Sequence, residues 1–72
     1  MNPVAIKYTE SICKKASAEG FTLQLVQGTF IWKDKTGNIF GEHWNLDAQD
    51  MLHQACIFIQ EKMKWEVEVL LD

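Results

Sequence analysis

The segment from Phe21 to Glu42 constrains the fold most, because two turn signals within it set the pairing of three strands. The dipeptide Gln27-Gly28 predicts a two-residue hairpin turn, in which glycine supplies the positive φ that such turns need. The stretch 34–37, Asp-Lys-Thr-Gly, predicts a type I turn closed by a glycine bulge. Together the turns predict a three-stranded antiparallel meander.

The two turns also predict one continuous apolar face. They pair Leu23 with Trp32, and Trp32 in turn with Phe40. Side chains on one face of a strand recur every second residue, so a slip of one position in either hairpin would divide this set between the two faces. The residues expected on the shared face are Phe21, Leu23, Leu25, Phe30, Trp32 and Phe40.

A helix is predicted before the meander. Asn2 is a good N-cap residue, and Pro3 fits the first helical position, where a missing N–H costs nothing. Gly20 is expected to end the helix in a left-handed conformation. The apolar stripe predicted for this helix contains Ala5, Tyr8, Ile12 and Ala16, flanked by Ile6 and Cys13.

A second helix is predicted after the meander. Asp47 is the expected N-cap, Asp50 lies in the first turn, and Leu46 is placed to contact Met51 across the helix start. The apolar stripe then contains Leu52, Ala55, Cys56, Ile59 and Met63, and Lys62 and Lys64 mark the last turn.

These patterns predict an α+β fold, a two-layer α-β-β-β-α arrangement with both helices on one face of the three-stranded meander. Residues 1–64 are expected to form the single domain, followed by a tail, 65–72. In the tail, Trp65, Val67 and Val69 alternate with acidic residues, which favours an additional C-terminal strand. A continuation of the helix is the alternative, because Trp65 and Val69 are four residues apart.

Composition narrows the function classes. The chain has 72 residues with a formal charge of −3, from ten acids and seven lysines, and it has no arginine. The acidic balance and the absence of arginine argue against nucleic-acid binding. The two cysteines, the lack of a signal-peptide pattern and the lack of an apolar run of membrane-spanning length favour a reducing cytoplasm with free thiols.

Four residues form the candidate metal or redox set: Cys13, His43, His53 and Cys56. Two cysteines with two histidines are a ligand set that zinc uses, but their spacing matches no zinc-finger pattern. Both cysteines fall in predicted core stripes, where small buried thiols are common. We therefore expect core thiols and no cofactor, with a metal or redox protein as an alternative.

No catalytic motif accompanies the predicted fold. The sequence has neither a nucleophile elbow nor a glycine-rich phosphate loop, and its four glycines are scattered among turns and caps. Asp47 and Asp50 are explained as helix-start residues, and Glu66 and Glu68 as the solvent face of the tail strand. We expect the chain not to be an enzyme.

The order helix–strand–strand–strand–helix resembles the double-stranded-RNA-binding domain in element order and size, over nearly everything before Trp65. That family places lysines at the start of its second helix to contact phosphates. This chain has Asp-Ala-Gln-Asp at 47–50 instead. The resemblance therefore does not predict RNA binding for this chain. Nucleic-acid binding by an αβββα domain with an atypical surface remains an alternative function.

The remaining candidate is a surface that binds protein. The sheet face opposite the helices is expected to combine polar residues with an apolar centre, and exposed aromatics rimmed by polar residues are common at interfaces. Trp44 and Trp65 have no predicted core position, and the alternative is that they cap the open ends of the core. The candidate interaction residues are Val26, Ile31, Ile39, Trp44, Trp65, Val67 and Val69.

We accordingly expect a small protein-binding module, an accessory or regulatory factor of the kind that phages and other mobile elements often encode. The tail also predicts a homodimer. Unpaired sheet edges recruit strands, and Val67 and Val69 would face the partner while Glu66 and Glu68 face water.

Overall fold

The computed structural model describes residues 3–43 and 48–66. It contains α1 (Pro3–Ala18), β1 (Thr22–Val26), β2 (Thr29–Lys33), β3 (Ile39–His43) and α2 (Ala48–Met63). The strands form one antiparallel sheet in the order β1-β2-β3. The predicted α-β-β-β-α order is confirmed.

The predicted strand register is also confirmed. Leu23 lies opposite Trp32, and Trp32 lies opposite Phe40. Val26 pairs with Thr29, which leaves a two-residue loop in which Gly28 has a φ of 76°. The local turn chemistry therefore fixes the pairing of β1 with β2.

The second turn is held by the Asp34 carboxylate. Its Oδ1 accepts hydrogen bonds from the backbone N–H of Thr36 at 2.8 Å and of Asn38 at 3.0 Å. The N–H of Gly37, which has a φ of 92°, donates to the Asp34 carbonyl at 3.1 Å. The hydrogen bonds to the carboxylate lower the pKa of Asp34, most of all the one that the Thr36 hydroxyl donates to Oδ1 at 2.7 Å.

Both helices pack on the sheet face that carries Phe30 and Trp32. These two side chains are 0% and 2% exposed and form one core with residues of both helices. The two-layer arrangement follows, because one apolar face of the sheet is covered by the apolar stripes of two helices. The helical members of this core are Ile12, Ala16, Met51, Ala55, Cys56 and Ile59.

Two positions differ from what the stripe patterns predict. Leu25 lies opposite the fully buried Phe30 but is 37% exposed, because β1 is an edge strand of the sheet. Thr9 is 8% exposed although it is polar. Its hydroxyl donates to the Ala5 carbonyl at 2.8 Å, which satisfies the buried group.

Gly20 ends α1 as predicted. It has a φ of 87°, its N–H donates to the Ser17 carbonyl at 3.1 Å, and the N–H of Phe21 donates to the Ala16 carbonyl at 2.8 Å. This pair of bonds is the Schellman motif. It places Phe21 against the core directly before β1.

The end of α2 has the same geometry around a lysine. Lys64 has a φ of 57°, its N–H donates to the Glu61 carbonyl at 3.3 Å, and the N–H of Trp65 donates to the Gln60 carbonyl at 3.1 Å. Trp65 and Glu66 are the described residues of the predicted tail strand, and neither belongs to a strand. The described part of the chain contains three strands.

Some predicted features lie outside the described residues. These are the N-caps Asn2 and Asp47 and the contact of Leu46 with Met51. The two helices that are described, each 16 residues long, are not long and apolar enough to cross a membrane.

Candidate functional site: the outer sheet face and the helix-pair cluster

The sheet face opposite the helices is the first candidate site, and we call it the outer sheet face. The strand register arranges it in rows, with Thr22 beside Lys33 and Ile39, and Gln24 beside Ile31 and Gly41. Its members are Thr22, Gln24, Val26, Thr29, Ile31, Lys33, Ile39 and Gly41.

The outer sheet face carries exposed aliphatic side chains. Val26 is 51% exposed and Ile39 is 62% exposed, which are the largest exposed fractions among the large hydrophobic residues of the described chain. Ile31 lies between them on the central strand and is half-buried. The predicted interaction residues Val26, Ile31 and Ile39 therefore do share one face.

Gly41 leaves one flank of Ile31 without a side chain. A Cβ at position 41 would lie 2.3 Å from the Phe30 carbonyl oxygen and 3.1 Å from the Ile31 Cα, so no other residue fits the present backbone. Lys33 carries the one charge among the residues of this face named above.

The second candidate site lies between α1 and α2, and we call it the helix-pair cluster: Tyr8, Thr9, Cys13, His53, Cys56 and Gln60. The Tyr8 hydroxyl donates to Oε1 of Gln60, and the Tyr8 and His53 rings meet edge to face with centroids 5.6 Å apart. The Thr9 hydroxyl lies 3.4 Å from Nδ1 of His53. Burial, followed by electrostatic repulsion from Cys56 and Glu61, raises the pKa of Tyr8 to about 12.

The two cysteines meet within this cluster. Their sulfur atoms are 3.9 Å apart, and both are free thiols. Cys56 is fully buried, and its thiol also donates to the Thr9 carbonyl at 3.9 Å. Burial raises the pKa of the Cys56 thiol, and its contact with Cys13 raises it further.

The structure brings together part of the predicted metal or redox set. Cys13 and Cys56 are in contact, and His53 faces Thr9 and Tyr8. The backbone of His43 belongs to β3, but its side chain lies outside the described part. Among the residues that are described, no three histidine, cysteine or acidic side chains are grouped as metal ligands.

Trp65 packs on the domain itself. Its ring meets Phe21 edge to face, with centroids 5.7 Å apart, and Nζ of Lys15 lies 5.9 Å from its centroid. Nε2 of Gln60 donates to the Trp65 carbonyl at 3.1 Å. Trp65 therefore closes one end of the core and remains half-buried. Three further predicted interaction residues, Trp44, Val67 and Val69, lie outside the described residues.

Sequence reasoning missed two features of these sites. The pairing of Cys13 with Cys56 depends on how α1 packs against α2, and its signal was the presence of one cysteine in each apolar stripe. The left-handed Lys64 that turns Trp65 toward Phe21 had no signal, because lysine is not typical of that conformation.

Comparison with protein-family models, curated proteins and solved structures finds no match for this chain.

Proposed function

We propose that this chain is a non-enzymatic protein-binding module, an accessory or regulatory factor that docks a partner through the outer sheet face. The observation that carries the proposal is the exposure of Val26 and Ile39 beside Ile31, on the face that neither helix covers. An apolar area with a polar rim of threonines, Gln24 and Lys33 is typical of protein interfaces.

The size of this face favours one kind of partner element. Three strands spaced by about 4.8 Å and five residues rising about 3.4 Å each give a footprint of roughly 14 by 17 Å. A standard interface buries about 800 Å² on each partner, so the face is too small to hold two copies of the domain together by itself. A single amphipathic helix, about 10 Å wide, fits it and would complete a three-layer arrangement.

We therefore propose an amphipathic helix of another protein as the occupant. Its aliphatic residues would lie on Val26, Ile31 and Ile39, and an acidic residue at its edge would pair with Lys33. A reducing cytoplasm is the proposed location, in keeping with the two free thiols.

The test uses a matched pair of charge substitutions. Ile39→Glu places a carboxylate in the proposed interface, and Ile6→Glu makes the same change on α1, where Ile6 is 43% exposed. The parent and each variant are expressed in the native host and cross-linked to their neighbours, and the proteins captured by the three chains are compared. From a protein that is captured only when the outer sheet face is intact, the helical segment is prepared as a purified peptide. Its binding to the parent and to each variant is then measured by calorimetry.

The proposal expects one partner that binds the parent and Ile6→Glu equally and is lost with Ile39→Glu. Equal capture by all three chains would overturn it. Salt-sensitive binding of RNA or DNA that survives Ile39→Glu would instead support the nucleic-acid alternative.

A further inference from the structure

We propose that Cys13 and Cys56 are a thiol-oxidation site, at which a peroxide converts the pair into a reversible disulfide that links α1 to α2. The inference is independent of the proposed docking function.

The geometry of the pair is close to what a disulfide needs. The sulfur atoms are 3.9 Å apart, and a disulfide bond of about 2.0 Å requires them to approach by roughly 1.9 Å. The Tyr8 hydroxyl bond to Gln60 and the Thr9 contact with His53 hold the two helices in register beside the pair. The thiols therefore face each other in the folded state.

The two thiols are not equivalent, which assigns their roles. Cys13 is half-buried and can meet a small oxidant, whereas Cys56 is fully buried. The Cys56 thiol donates to the Thr9 carbonyl, which can only accept, so a lone pair of the Cys56 sulfur is free to face Cys13. Cys13 is then the residue that reacts first, and Cys56 is the resolving thiol.

The reaction balances with a peroxide as the oxidant. The Cys13 sulfur attacks one peroxide oxygen, the O–O bond breaks, and Cys13 becomes a sulfenic acid with release of water when the peroxide is hydrogen peroxide. The Cys56 sulfur then attacks the Cys13 sulfur, the S–O bond breaks, and the hydroxyl leaves as a second water with the thiol proton. Two electrons pass from the two sulfurs to the peroxide, and a dithiol reductant reverses the change.

The disulfide would have a structural consequence. It closes a loop that contains all three strands, so oxidation restricts the unfolded chain and holds α1 against α2. In a reducing compartment, such bonds are usually transient and redox-sensing.

The test is to treat the folded full-length chain with hydrogen peroxide at neutral pH and to measure its intact mass under non-reducing conditions. The expected product is a monomer that has lost two hydrogen atoms, that binds no maleimide after unfolding, and that regains its mass with dithiothreitol. Its thermal midpoint should rise by more than about 5 °C.

Single variants assign the roles, after circular dichroism shows that each is folded. In Cys56→Ala, Cys13 should gain oxygen atoms or link two chains. In Cys13→Ala, the buried Cys56 should keep its thiol at the same peroxide dose. The proposal is overturned if the parent gains oxygen on Cys13 without the internal bond, or if the bond forms only in denaturant.

Discussion

The indole N–H of Trp32 donates to the backbone carbonyl of Ala55 at 2.9 Å, and both residues are buried. The bond joins the central strand of the sheet to the middle of α2. A buried indole N–H needs a hydrogen-bond acceptor, and the Ala55 carbonyl supplies it. The bond therefore fixes the position of α2 relative to Trp32, the largest side chain of the core.

Truncation of this side chain should be the most damaging single change in the core. We expect Trp32→Ala to lower the free energy of unfolding by about 3–5 kcal/mol, which can unfold so small a domain. Trp32→Phe keeps an aromatic ring at this position but removes the indole N–H and part of the ring volume, so we expect a smaller loss of about 1–3 kcal/mol. Urea denaturation measures both, and a Trp32→Ala chain as stable as the parent would contradict the register of β2.

The register and the turns could be predicted from the sequence because their determinants are local. Gly28, Asp34 and Gly37 act within four or five residues of their own position, so neighbouring chemistry alone fixes the pairing. Which side chains on the apolar sheet face become buried depends instead on where the two helices lie, and the local sequence of the strands does not determine that. For that reason Leu25 was placed on the correct face but is exposed, and Thr9 is buried despite its hydroxyl.

The same distinction between local sequence and helix packing applies to the two candidate sites. Strand periodicity alone places Val26, Ile31 and Ile39 on one face. Cys13 and Cys56 are 43 residues apart in the sequence, and their contact depends on how the two helices are rotated relative to each other. Periodicity gives the buried side of each helix but not the partner that each residue meets.

The glycine at position 41 gives a prediction for the outer sheet face. A Cβ there would lie 2.3 Å from the Phe30 carbonyl, so Gly41→Ala must displace β3 from β2. We expect a loss of about 1–3 kcal/mol, the range typical of overpacking. Ile39→Ala, on the same strand and 62% exposed, is the control and should stay within about 0.5 kcal/mol of the parent in urea denaturation.

Lys64 offers a stabilising substitution. Its φ of 57° is unfavourable for a residue with a Cβ, by roughly 1–2 kcal/mol, and glycine adopts it freely. We expect Lys64→Gly to raise the free energy of unfolding by up to about 1 kcal/mol. Glu61→Gly, within α2, should lower it by about 0.5–1 kcal/mol. Destabilisation by both changes would argue against the left-handed end of α2.

Tyr8 predicts a loss of stability at alkaline pH. Its folded-state pKa is raised from 10.0 to about 12, so the unfolded chain releases this proton first. The folded state then binds more protons, and the free energy of unfolding should fall as the pH rises from about 10 towards 12. The raised pKa of Cys56 acts in the same direction and begins at lower pH.

The Tyr8 prediction can be read directly, because this is the single tyrosine of the chain. Tyrosinate absorbance should titrate near pH 12 in the folded protein and near pH 10 in urea. Tyr8→Phe should show a shallower alkaline decrease in stability than the parent, although it also loses the bond to Gln60. A folded-state titration near pH 10 would contradict the burial of the phenol.

The predicted homodimer through the tail can be tested without disturbing the core. Trp65 packs against Phe21, so a shortened chain should keep Trp65 and end at Glu66. If residues 67–72 of the tail pair reciprocally between two chains, the full-length protein should sediment as a dimer and the shortened chain as a monomer, both with the parent fold. Val67→Pro, which removes one backbone donor from the tail, is a second variant that should weaken the dimer. A full-length chain that remains monomeric at high concentration would contradict the prediction, and equal dimerisation of both chains would place the contact outside the tail.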